Sequence, residues 1–117
     1  MRYTHPMKDE PIAVLIERRQ QLLDELVGLT HLVHGSWVER YSTCSRVNCR
    51  CHRGEKHGPR YYVVVQEKGK QRQKYIPRAQ AAAVRQGLAQ SQRLQEIVAE
   101  VTRINLLLIK KRGYEDS

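Results

Sequence analysis

The chain has no phenylalanine and one tryptophan. It also has no run approaching the roughly 18–20 apolar residues of a bilayer-spanning helix. Its opening residues, MRYTHPMKDEP, lack the apolar stretch of a secretory signal. The sequence therefore predicts no membrane association and a cytoplasmic location, where thiols stay reduced. Cysteine is scarce: there are three, all between positions 44 and 51. An odd number so tightly spaced argues against a disulfide framework and for a metal. Neither paired carboxylates nor a nucleophile–base pair stands out, so the expectation is no enzyme. Internal repeats and low-complexity segments are also lacking.

Acidic residues are nearly missing from the middle of the chain. Residues 36–78 carry eleven Lys/Arg against Glu39, Glu55 and Glu67, which places +8 of the net +9 there. Residues 1–35 come to −1 and residues 79–117 to +2. A block of charge so concentrated reads as a binding surface for an acidic partner. At 117 residues there is room for one domain with a modest core. A metal staple or a second copy of the chain would help it.

The expected fold is α+β: two long helices flanking a small zinc-stapled antiparallel β unit, within a single domain spanning 1–117. The N-terminal helix is predicted over 9–34, with Asp9 as N-cap and Pro11 opening it. Its apolar residues Ile12, Leu15, Leu22, Leu26, Leu29 and Val33 recur in steps of three and four, with Arg19 the one polar member. Gly35 is expected to end it. The zinc loop and β-hairpin occupy 36–77 and the C-terminal helix 78–112. That helix carries the stripe Leu94, Ile97, Val101, Ile104 and Leu108, is loosened at Gly87 and Ser91, and closes at Gly113. Such a coiled-coil-like seam must be covered, within the chain or in a homodimer. In the centre, Trp37–Tyr41 reads as a short strand. Tyr61–Gln66 and Arg72–Ile76 read as a hairpin around a three-residue Lys68-Gly69-Lys70 loop.

The cysteines are spaced Cys44-x4-Cys49-x-Cys51-x5-His57. Three thiolates and one imidazole are a standard tetrahedral zinc set. Ser45, Arg46, Asn48, Arg50 and Arg53 suit a loop around an ion, and the arginines offset a site of net charge −1. His52, adjacent to Cys51, is the alternative fourth ligand; His57 has more slack to reach. Three free thiols are the plainer reading, although free cysteine is usually scattered and buried. An iron–sulfur cluster usually takes four cysteines. A catalytic zinc would keep a position open, and Glu55 is the one general base nearby.

Gly35-Ser36, Glu39-Arg40-Tyr41, the run CSRVNCRCHRGEKHGPRYY, the Lys-Gly-Lys tip and the long closing helix together resemble a family of short, uncharacterised prokaryotic proteins. That family is known as a domain of unknown function. Its motif reads roughly C-G-K-x-x-C-x-C, then H-G-P and an aromatic, and the resemblance runs from about Gly35 to Arg112. Ser45 stands where the family commonly has glycine. The resemblance implies Cys44, Cys49, Cys51 and His57 as the ligand set, and it implies no activity.

The hairpin is also similar to the small sheets with which some integrases and plant transcription factors read the DNA major groove. Arg72, Lys74 and Ile76 alternate with Gln71, Gln73 and Tyr75, so one face can pack while the other stays polar and aromatic. Arg and Gln read base edges and Lys grips phosphate. A solvated sheet surface is the bland alternative. The aromatics Trp37, Tyr41, Tyr61, Tyr62 and Tyr75 cluster here too, either to stack on bases or to fill the core, and core filling suits Trp37 better. The functional expectation is thus a non-enzymatic zinc protein that binds nucleic acid, DNA before RNA. The contacts would come from Arg46, Arg50, Arg53, Lys68, Lys70, Arg72 and Lys74. The alternative is a coiled-coil adaptor whose zinc unit is structural.

Overall fold

The computed structural model describes residues 10–42 and 57–114. In chain order it has α1 (Ile12–Glu25), a 3-10 turn (Leu26–Gly28), β1 (Ser36–Ser42), β2 (His57–Glu67) and β3 (Lys70–Ile76). A second 3-10 turn (Arg78–Gln80) then leads into α2 (Ala81–Lys110). The fold is α+β, with two helices and one three-stranded antiparallel sheet of order β1-β2-β3. No helix among the described residues is long and apolar enough to cross a membrane. The described residues form two compact units. One takes the chain up to Thr30 and again from Gln90 onward; the other runs from His31 to Ala89.

In the helical unit the two apolar stripes meet within the chain. Leu15 and Leu22 of α1 are buried with Ile97, Ile104 and Leu108 of α2. Burying each such side chain is worth about 1.5–3 kcal/mol over leaving it in water. The helices run antiparallel, as three contacts in opposite chain order show. Ile12 lies against Gly113, Arg19 bonds Asn105, and Glu25 pairs with Arg93. Arg19, the polar member of the seam, is satisfied there: its guanidinium donates to the Asn105 side-chain oxygen at 2.8 Å. One polar pair inside an apolar seam favours a single register, because any slip leaves both groups unpaired.

The first helix is shorter than the expected span of 9–34. Pro11 is its N-cap, and the Pro11 carbonyl accepts from the Val14 and Leu15 amides at 3.1 Å. The expected cap, Asp9, lies outside the described residues. At the other end the chain tightens into the 3-10 turn after Glu25, and Leu29 leaves helical geometry. Gly28 is a weak helix former, and residues beyond it are needed elsewhere. Val33 donates its amide to the Gly87 carbonyl at 3.2 Å, and a Cβ on Gly87 would overlap the His31 carbonyl oxygen. Gly87 is thus a close-approach position rather than a loosened stretch of helix. Ser91, the other suspected weak point, is buried.

The second helix ends in a Schellman motif. The Gly113 amide donates to the Leu108 carbonyl at 2.8 Å and the Arg112 amide to the Ile109 carbonyl at 3.1 Å. The left-handed residue is Arg112, with φ 60°, and not the expected Gly113. Glycine is needed one position later because a Cβ there would press on Ile12, its nearest atom 2.8 Å away.

In the sheet unit β1 pairs with β2 from Ser36↔Val64 to Arg40↔Arg60, and again at Ser42↔His57 beyond a bulge. β2 pairs with β3 from Tyr61↔Ile76 to Glu67↔Lys70. The hairpin turn therefore has two central residues, not the expected three. Lys68 and Gly69 both take positive φ, 50° and 79°, which keeps Lys70 in the ladder. That is the primed-turn geometry that matches strand twist.

Candidate metal loop and nucleic-acid interface

Alternation along paired strands sorts the sheet into two faces. One carries Trp37, Glu39, Tyr61, Val63, Val65, Glu67, Lys70, Arg72, Lys74 and Ile76. Val63 on it is buried, and the Trp37 and Tyr61 rings meet at 5.1 Å. The start of α2 and the turn before it add to this face. Arg85 lies 4.7 Å over the Trp37 ring and 3.6 Å from Glu39, while Arg78 lies 5.8 Å over Tyr61. Trp37 thus fills space on the packed face, as expected.

Toward the hairpin turn this face becomes exposed and cationic. Lys74 lies 3.5 Å and Arg72 3.9 Å from the Glu67 carboxylate. Lys70 stands opposite Glu67 in the ladder, and Lys68 sits in the turn. One carboxylate thus faces several cations. Pairs this exposed are worth less than about 1 kcal/mol, so Glu67 holds them only weakly. The structure therefore gathers Lys68, Lys70, Arg72 and Lys74 at one end of the hairpin. Arg46, Arg50 and Arg53 lie outside the described residues.

The opposite face holds Ser36, Val38, Arg40, Arg60, Tyr62, Val64, Gln66, Gln71, Gln73 and Tyr75. No acidic residue is among them. Arg40 and Arg60 stand directly opposite each other across β1 and β2. Arg40 also donates to the Gln73 side-chain oxygen at 2.6 Å and lies 5.8 Å over the Tyr62 ring. Tyr62 meets Tyr75 edge-on at 5.8 Å, and Tyr75 is 61% exposed. Sequence reasoning missed Arg40 and Arg60 as a pair. The signal was the basic residue on each side of the cysteine segment, but only the register brings them together.

Cys44, Cys49, Cys51 and the alternative ligand His52 lie outside the described residues, and of His57 only the strand position is described. What the sheet supplies is the closure of the segment between. The last β1 residue, Ser42, is paired with His57, the first of β2. The glycine of the His-Gly-Pro motif has a local reason. Gly58 has φ 130°, and a Cβ there would come within 2.8 Å of the Arg40 carbonyl oxygen at the bulge. The Gly58–Pro59 peptide is cis. Among the described residues no group of three or more His, Cys, Asp or Glu could hold a metal.

A family model described as Domain of unknown function (DUF6788) matches residues 12–86. The match takes in α1, the sheet and the start of α2; it begins before the resemblance read from the motif, which runs from about Gly35 to Arg112, and stops short of its C-terminal end. No curated protein and no solved structure matches the chain.

Proposed function

The chain belongs to that DUF6788 family, and since membership assigns no activity, we propose from its own residues that it is a non-enzymatic, zinc-stabilised nucleic-acid-binding protein whose ligand is duplex DNA. The observation that carries this reading is the acid-free sheet face, with Arg40 directly opposite Arg60. Like charges facing each other across a ladder are destabilising. A polyanion laid on that face turns the repulsion into attraction. Lys70, Arg72 and Lys74 lie on the other face of the same hairpin; with Lys68 in the turn they add positive charge that attracts a polyanion at longer range.

Zinc belongs to the same reading, with Cys44, Cys49, Cys51 and His57 as ligands. The Ser42↔His57 pair holds both ends of the segment at one end of the sheet, and soft thiolates with an imidazole select zinc. The ion would supply a structural cross-link and no chemistry. Self-association through the helices is also part of the proposal. With the seam covered inside the chain, Val98, Leu106 and Ile109 of α2 remain exposed.

The test is zinc analysis joined to a titration against duplex DNA, single-stranded DNA and RNA at two salt concentrations. One zinc per chain is expected, with retention falling at low pH as the thiolates protonate. Duplex affinity should fall with log salt at about −0.9 per phosphate contact, over about four to six contacts. Replacing Lys68, Lys70 and Lys74 together by alanine should weaken duplex binding at low salt, where longer-range attraction is least screened. Protein without zinc, or without binding to any nucleic acid at low salt, would refute the corresponding half of the proposal.

A further inference from the structure

Arginine offers five N–H donors and no acceptor, whereas a glutamine amide offers one acceptor oxygen and two donors. In the Arg40–Gln73 contact the guanidinium can only donate, so the glutamine presents its oxygen, at 2.6 Å. That oxygen is the acceptor glutamine needs to read adenine, whose edge combines the N7 acceptor with the N6 donor. With one lone pair of that oxygen engaged, the pair has more donors than acceptors left to offer: the remaining guanidinium N–H groups and the glutamine NH2. A donor-rich group matches the two acceptors of guanine, O6 and N7, better than it matches the edges of the other bases.

Arg40, on the edge strand β1, is also held in place from the other two strands of the sheet. Tyr62 of β2 lies under its guanidinium and Gln73 of β3 fixes one end. An arginine held this way loses less rotamer freedom on binding than a free one. The face around it carries Arg60 and no carboxylate, so its charge complements a polyanion. Three strands about 4.8 Å apart measure roughly 10 Å between the outer strand axes, comparable to a major groove about 12 Å wide, which admits a two-stranded ribbon. We infer that Arg40, positioned by Tyr62 and Gln73 on the open face of the sheet, is the specificity-determining residue of this protein and reads guanine in the major groove of duplex DNA. The inference rests on the nucleic-acid-binding proposal and adds to it which face reads bases and which base is preferred.

The experiment compares the full chain on two duplexes of equal length, alternating dG-dC and alternating dA-dT, at one low salt concentration. About tenfold tighter binding to the dG-dC duplex is expected, the scale of one bidentate base contact. Replacing guanine by 7-deazaguanine removes the N7 acceptor but keeps pairing and charge, and it should reduce the preference without any change to the protein. Arg40→Lys keeps the charge but loses the planar fork and its positioning by Gln73, so it should reduce the preference while leaving the salt slope in place. Gln73→Leu removes the acceptor that positions Arg40 and should weaken the preference in the same direction. Melting curves check that both variants fold. Equal affinity for the two duplexes, indifference to 7-deazaguanine, or a preference undiminished in Arg40→Lys overturns the inference while leaving DNA binding intact. Tighter binding to single strands also overturns it. Binding to no nucleic acid would instead remove the functional proposal itself, and this inference with it.

Discussion

Arg93 grips Glu25 through two of its nitrogens, one contact at 2.8 Å, and reaches Glu96 at 3.0 Å. The hydrogen bond from Arg93 holds the Glu25 carboxyl below the usual carboxylate range, against the opposing effect of burial. The same bond, with help from Glu96, raises the Arg93 guanidinium. A carboxylate depressed in the folded state stabilises above its unfolded pKa, near about 4.3. That contribution is lost as pH falls through the lower folded value. Both side chains are partly exposed, so the contribution is below about 1 kcal/mol. Arg93→Gln should therefore move the NMR titration midpoint of Glu25 upward with little change in melting temperature; an unmoved midpoint would contradict the pairing. Gly87 acts through space instead. An added Cβ overlaps the His31 carbonyl, so Gly87→Ala should cost about 1–3 kcal/mol or more in chemical denaturation. Gly28, with nothing near its virtual Cβ, is the control. Gly28→Ala should be neutral or slightly stabilising.

The helices and the hairpin were legible as elements because each follows a simple period. Steps of three and four placed Leu15, Leu22, Ile97, Ile104 and Leu108 in one core; alternation marked the strands of the hairpin, and the structure decided that the Val63 face is the buried one. Their ends were less legible, because ends depend on what the chain must reach next. The seam continues to Val33 in sequence, yet the helix stops at Glu25 and Val33 hydrogen-bonds to Gly87. The C-terminus of α2 shows the same limit. Glycine is the usual left-handed residue at a helix end, but here Arg112 takes φ 60° while Gly113 serves close packing on Ile12. A left-handed conformation costs a non-glycine residue about 1–2 kcal/mol. Arg112→Gly should therefore raise the melting temperature, whereas Gly113→Ala should lower it by pressing on Ile12. The opposite order in thermal denaturation would show that the cap is misassigned.

Self-association is decided at the scale of the whole molecule. Doubling a small core by pairing two chains adds stability that grows with concentration. The exposed Val98, Leu106 and Ile109 are the apolar residues on α2 that such pairing would cover. Light scattering should give a dimer for the wild-type chain and a monomer for Leu106→Glu; a monomer at every concentration would overturn the proposal. The amino-acid order alone determined that the chain is α+β, where its charge is concentrated, and that its cysteines sit together in one short segment. These are local properties, set by period, composition and spacing along the backbone. Which residues face each other is not local. Arg40 and Arg60 are far apart in sequence, and a slip of one residue in the β1–β2 register would put them on opposite faces. Only the pairing of β1 with β2 made them neighbours, and only β3 brought Gln73 to Arg40. The candidate base-reading face is therefore a product of tertiary structure, because side-chain direction in a sheet is fixed by the ladder and not by the order of residues.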